Sequence, residues 1–496
     1  MPVFVLAVEE LSRLRLKWCE GFNPNAKSGL KDVRPYLKKR KSFVEVIQIK
    51  KGKDIKLKGA AEKQVEELDL PKQVAIQPPD FRGVRLRLRV KEGDVVKVGT
   101  PVLEDKDCTQ VHVVSPVSGK VVAINRGEKR ALLQVVIETD GKQETVAFKK
   151  HPAENIPLMS HKEIVSCLLE GGVWPVLRQR PFSKIARVDQ KPKSIFVHAM
   201  NTEPLAMDVD YRLNGQAKGF HTGLDILAKL TEGSVHVCFH KEASSDALAN
   251  FPSSSKIKYH RFDGPHPAGN VGTHIHHVDP VHKGEFVWFV EAEDVLRIAK
   301  LFVEGVFSPV KVVVTTGEGV EKRVYKKTII GAPVSHIIGE AAKSNMRYIS
   351  GSVLTGINVG AQGYVCFYDS QITVIPEGGK REILGWALPG LNKYSFSKTF
   401  ASSLINKNED VSLDADEHGG HRAIVFNSVY DDYVALDVMT YFLLKAALSG
   451  DIEEAERLGI LECDEEDFAL ATFACPSKTD VGGIIREGLD LIEKEG

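Results

Sequence analysis

Arginine and apolar residues alternate through RLRLRV at 85–90, the period of a strand with one face buried. Glycines in KEGDVVKVGTPV and SPVSGKVVAINRG mark turns between short strands, and LLQVVIE at 132–138 follows, so 44–150 reads as all-β. The period then changes. SHKEIVSCLLEGG predicts a helix that Ser160 and Glu163 cap as a box and glycines end. KSIFVHAM is a strand entering a loop, FHTGLDILAKLTEG an amphipathic helix, and SVHVCFH a buried strand. EFVWFVEAEDVLRIAKLFVEG is a strand followed by a helix. Strands alternating with helices across 151–308 imply a parallel sheet with crossover helices. From 309 to 384, VKVVVTTGEGVEKRVYKKTIIGAPVSHIIGE reads as strand, turn, strand and short helix, and GYVCFYDSQITVIPEG adds strands. From 385 to 496 the pattern is mostly helical. VALDVMTYFLLKAALSG is its clearest helix, and ECDEEDFALATFACPSK belongs to two further helical segments on an acidic surface.

One stretch fits neither period. Phe262 to Val281 holds three glycines, three prolines and four histidines in twenty residues, and reads as a shaped, ordered surface loop. In an extended segment His274 and His276 would share a face, as two ligands of a zinc or iron site do. Equally, these imidazoles can pack a polar loop by bonding to backbone.

Composition narrows the partners. With 496 residues the chain divides into about three or four domains. Charges balance at 66 of each sign, which favours neither nucleic acid nor an anionic membrane surface. No apolar run reaches the length that spans a bilayer. The seven cysteines are dispersed with no CxxC, which suits free thiols in a reducing compartment. Residues 1–43 form a basic N-terminal extension, read as a poorly ordered tail. MPVFVLAVEELSR lacks the positive start of a secretory signal.

The string FDGPHPAGNVGTHIHHVDPV, then GWALPGLNKYSFSKT at 385–399, then ECDEEDFALATFACPSK and the closing LIEKEG resemble one family in its own order: the A subunits (NqrA) of the bacterial sodium-translocating NADH:quinone oxidoreductases. The resemblance runs from about Val46 to Gly496. It implies an α/β multidomain chain: a barrel-sandwich hybrid of the biotinyl and lipoyl type at 44–150, and a Rossmann-like domain of the complex I flavin-subunit type at 151–308. An SLBB β-grasp domain at 309–384 and a helical domain at 385–496 complete it. Flavin-binding relatives carry a glycine run after their first helix. Here Gly171 and Gly172 precede Trp174, Leu177, Arg178, Arg180 and Phe182, which fill the cradle. Rnf-type relatives hold iron–sulfur clusters on several cysteines. Here Cys475 stands alone, with Thr472 where many relatives have a cysteine.

The resemblance therefore implies a peripheral subunit that binds no cofactor of its own. It would sit on the cytoplasmic side of the bacterial inner membrane, in a complex that uses NADH, flavins, iron–sulfur and ubiquinone to move sodium. Its expected partners are the other subunits of that complex, the membrane-embedded B subunit foremost, with ubiquinone as a further one. The rival readings are an FMN-dependent NADH dehydrogenase subunit and an Rnf-type electron-transfer subunit. Two aromatic–basic stretches, QPPDFRGV at 77–84 and LRQRPFSK at 177–184, are candidates for quinone binding or for docking between subunits. Phe81 and Phe182 would supply walls, and Arg82, Arg178 and Arg180 donors.

Overall fold

The computed structural model describes residues 45–249, 254–339, 343–379, 388–391, 393–405, 410–425 and 428–495. The N-terminal extension and the start of GWALPGLNKYSFSKT lie outside them.

The largest sheet has seven strands, in the order Val46–Gln48, Ile257–Asp263, Val235–His240, Ile195–Ala199, Val287–Glu291, Arg178–Arg180 and Lys184–Ile185. The first five run parallel, Arg178–Arg180 runs antiparallel to them, and Lys184–Ile185 turns back antiparallel to Arg178–Arg180. Because side chains alternate along a strand, each face has its own cover. Ile195, Val197, Val235 and Val237 lie in one apolar cluster with Leu224 and Ile298, from helices Ala217–Leu227 and Ala292–Glu304. Phe196, Cys238, Phe262 and Phe289 pack with Val271 and Ile275 of a third helix, Val271–Val278.

That third helix corrects the sequence reading, which has 262–281 as a surface loop. Only 264–270 and 279–281 are loop, and Asn270 to Ile275 are all buried. Val271, Ile275 and Val278 hold the helical spacing. The pattern is hidden because a histidine, His274, takes an inward position and is fully buried.

Two small sheets make the barrel-sandwich. One holds Gln73–Ile76, Leu132–Thr139, Gly119–Arg126 and Val95–Val96; the other holds Leu86–Leu88, Pro101–Asp105 and His112–Val114. Val74, Leu103, Val121 and Ile137 belong to the core they share. At the turn before Gly119 the strands pass so closely that a Cβ there would lie 1.9 Å from the Glu138 carbonyl oxygen. The stretch 44–150 is not confined to these sheets, however. Val46–Gln48 joins the large sheet, and Glu62–Glu67 runs parallel to Val324–Ile329 in a mixed six-stranded sheet. Edge strands attach by backbone hydrogen bonds, so their sequence announces a strand without naming its sheet.

The mixed sheet also contains Val310–Thr316, Gln371–Pro376, Met346–Ser350 and Ile357–Asn358. The C-terminal segment has its own core, with Tyr430, Leu443, Leu444, Phe468, Ile485 and Leu489. The clearest predicted helix is shorter than its pattern, Thr440–Ser449. Among the described residues no helix is long and apolar enough to cross a membrane.

Candidate functional site

The two aromatic–basic stretches lie side by side. The Ile185 N–H donates to the Arg82 carbonyl at 3.1 Å, and a Cβ on Gly83 would stand 2.4 Å from that of Lys184. Phe81 is buried, with its ring 4.9 Å from Phe367 and 6.1 Å from Tyr368. The Arg178 guanidinium is sandwiched 4.4 Å from Phe289 and 4.5 Å from Tyr368, and pairs with Glu291 at 2.9 Å.

The remaining cations converge on one acidic turn. Arg180, 2% exposed, reaches Glu466 at 2.6 Å, Asp464 at 3.4 Å and Asp467 at 3.5 Å. Arg82 pairs with Glu465 at 2.6 Å. Arg486 of helix Val481–Glu495 holds Asp464 and Glu465, and donates to the Phe182 carbonyl at 3.0 Å. Phe182 packs against the core of the C-terminal segment. The sequence places the DEED run on an acidic surface; Asp464 and Asp467 are in fact buried. They cap each other across the turn Glu465–Phe468 as a box, which makes the turn rigid. Burial raises the Asp467 carboxyl above the usual carboxylate range, Arg180 opposes this and Glu466 adds to it.

Arg178 reaches Glu291 at the carboxyl end of Val287–Glu291, where open α/β sheets place their ligand crevice, whereas Arg180 pairs in register with Val287 at the start of that strand. His198, near the end of Ile195–Ala199, bonds Glu291 through Nδ1 at 2.8 Å and the Gly269 carbonyl through Nε2. Burial opposes a charge on this ring, but Glu291 and the carbonyl outweigh it and raise His198 to about 9. Asn270 donates to the Glu466 carbonyl at 3.1 Å. A Cβ on Gly272 would lie 2.3 Å from the Asp467 carboxylate, so that carboxylate stands against the first turn of Val271–Val278. A side chain of this chain occupies the favourable end of the helix dipole.

His198, Glu291, Arg486 and the buried ends of the acidic turn escaped the sequence reading. The signal for the first two was positional: polar residues at the carboxyl ends of adjacent parallel strands. His274 and His276 do not share a face, because the segment is helical. His274 points inward, its Nε2 3.1 Å from the Ala268 carbonyl, and His276 faces Glu462 at 2.8 Å. Among the described residues no group of three histidine, cysteine, aspartate or glutamate side chains is placed to hold a metal.

The buried imidazoles set a pH window. Burial holds His266 at about 4, and burial together with neighbouring charge holds His236 and His260 there, against a usual 6.5. The unfolded chain takes up these protons first, so stability falls as pH drops from 6.5 toward 4. His266 alone contributes on the order of 3 kcal/mol. His198 has the opposite sign: its stabilisation is complete below 6.5 and is lost as pH rises through about 9. Urea denaturation at pH 4.5, 7.5 and 10 should give the highest midpoint at 7.5. A flat profile would refute this account of the histidines.

The chain matches the family model for the NqrA N-terminal barrel-sandwich hybrid domain over residues 47–140 and the model for the NqrA second alpha/beta domain over 159–307. It matches that for the NQRA C-terminal domain over 312–360. It is 40% identical over 453 residues to the Na(+)-translocating NADH-quinone reductase A subunit of Neisseria meningitidis, covering 91% of this chain and 100% of that one. The protein of the same name from Yersinia pestis is 39% identical over the same shares. Among solved structures, an NAD+-reducing [NiFe]-hydrogenase aligns with 46% of this chain and 49% of its own. Its TM-score is 0.31 and its identity 12%, too low for argument. With whole relatives matched end to end, and three domain models in the family's order, the chain belongs to the family of Na(+)-translocating NADH-quinone reductase A subunits.

Proposed function

We propose that the chain is the A subunit of a sodium-pumping NADH:ubiquinone reductase. It would be peripheral on the cytoplasmic side of the bacterial inner membrane and held there by membrane-embedded partners, the B subunit foremost. One observation carries the reading: 453 residues at 40% identity that cover the whole of a relative bearing that name. It favours neither the flavin dehydrogenase nor the Rnf-type alternative. Within this reading the large parallel sheet is the Rossmann-like domain and the mixed sheet the SLBB β-grasp domain. The test is complementation. A strain lacking its own copy of this component and supplied with this chain should regain sodium-dependent ubiquinone reduction by NADH in membrane vesicles. An assembled complex without that activity would refute the proposal.

The five aromatic and basic residues then serve as docking elements within the chain, because Arg82, Arg178 and Arg180 already have carboxylate partners. We expect Arg82→Ala to leave quinone turnover of the complex unchanged. Its half-exposed pair should cost under about 1 kcal/mol of stability. A large fall in turnover at unaltered stability would return Arg82 to the quinone.

A further inference from the structure

The strand Leu86–Leu88 is the outer strand of its three-stranded sheet, and among the described residues no strand pairs with its other side. Its register fixes what that side offers. Arg87 pairs with Glu104, the Arg89 N–H donates to Val102, and the Arg85 carbonyl accepts from Lys106. Antiparallel bonding alternates, so residues 85, 87 and 89 bond inward, and the N–H and C=O groups of Leu86 and Leu88 face outward. Side chains alternate too. Arg85, Arg87 and Arg89 are exposed on one face, while Leu86 and Leu88 are half-buried on the other.

Arg87, Leu88 and Arg89 also line an open groove of about 1340 Å³ between this sheet and helix His161–Glu170. Small-molecule sites are typically about 300–1,000 Å³, so this one is broad enough for a chain segment. Its carboxylates are engaged: Glu104 by Arg87 and Arg89, Asp189 by Arg187, and Glu170 by the Ser166 hydroxyl. Lys162 lines it as well, as does Lys191, which pairs with Glu232.

We propose that this edge receives an extended segment of a partner chain in which acidic and apolar residues alternate. The segment adds as a strand beside Leu86–Leu88. Arg85 is held by Asp107, and Arg87 and Arg89 share Glu104, so three exposed cations face two carboxylates and the row keeps a positive surplus for the segment's acidic side chains. Its apolar side chains meet Leu86 and Leu88, and its backbone takes up the outward groups. Charge argues against the chain's own first 42 residues, which hold ten lysines and arginines against four acidic residues. That the partner is another component of the complex rests on the function proposed above; the edge and its complement do not.

The test uses the full chain alone. A labelled peptide EVEVEVE should bind in fluorescence anisotropy, and KVKVKVK should not. Leu88→Pro removes an outward N–H that no internal bond among the described residues uses, together with the packing of a half-buried leucine, so it should weaken binding at least about tenfold beyond Leu88→Ala, which loses the packing alone. Arg87→Gln, which leaves Arg89 on Glu104, should weaken it about threefold to tenfold and flatten its salt dependence. The proposal is overturned if the acidic peptide binds no tighter than the basic one, or if Leu88→Pro binds it as Leu88→Ala does. It is also overturned if the chain forms a dimer that Leu88→Pro dissociates, since the edge would then belong to a second copy. None of these results bears on membership of the complex.

Discussion

Arg180→Ala is expected to unfasten the C-terminal segment at a cost of about 3–5 kcal/mol, the range for breaking a buried ion pair from one side. The guanidinium is 2% exposed, and the side chains of Asp464 and Asp467 are 6% and 2% exposed. Without it, two carboxylates stay buried facing each other, with Arg486 able to serve Asp464 alone. An intact cluster need not be strongly stabilising, since burying it cost hydration and the Arg180 Nε has no partner. The expected loss comes from the carboxylates left behind. Replacing the positive charge without the fork, Arg180→Lys, should recover only part of it. The measurement is urea denaturation followed by near-ultraviolet circular dichroism, with limited proteolysis to locate the change. The segment after about residue 428 should be released first. A native midpoint for Arg180→Ala would mean that the cluster holds nothing together.

Trp174→Ala should cost a similar amount, about 3–5 kcal/mol, for a different reason. Its ring is fully buried, edge-on to Trp288 at 5.5 Å, and its indole N–H donates to the Ala186 carbonyl at 2.7 Å. Deletion leaves a cavity and an unpaired carbonyl together. Trp174 lies where barrel-sandwich and parallel sheet share one core, close to the point where a Cβ on Gly172 would strike Val114. The main unfolding transition should therefore move as one, without early release of the C-terminal segment. Trp174→Phe should restore most of the packing and none of the hydrogen bond. If alanine left the midpoint within a few tenths of a kcal/mol, the shared core would not couple the two parts.

Regular periodicity was the readable part of this sequence. The Ser160–Glu163 box and the strand–helix pair at 287–304 form where their patterns place them, and the helix read on 220–233 forms earlier, at 217–227, because each buries one face of a local repeat. Patterns whose buried residues are polar were not readable. His274 conceals a helix, and Asp464 and Asp467 pass for surface because nothing local announces the arginines that neutralise them. The candidate stretches 77–84 and 177–184 do meet in space. Their role changes once Glu465, Glu466 and Glu291 are found beside them, contributed from positions more than a hundred residues away. Sequence distance, not chemistry, hid the partners.

The placement of Val46–Gln48 and Glu62–Glu67 has a consequence for how the chain is made. Val46 pairs with Arg261, and Val65 with Tyr325, so both early strands leave the ribosome long before their partners exist. At about 5–20 residues per second, the first waits roughly ten to forty seconds. The barrel-sandwich between these strands and their partners closes with near neighbours and can form meanwhile. For that interval the nascent chain carries locally paired small sheets, whose shared core with the parallel sheet is still open, and two uncommitted strands ahead of them. The mature architecture therefore depends on keeping those strands from pairing elsewhere until the ribosome has passed the middle of the chain.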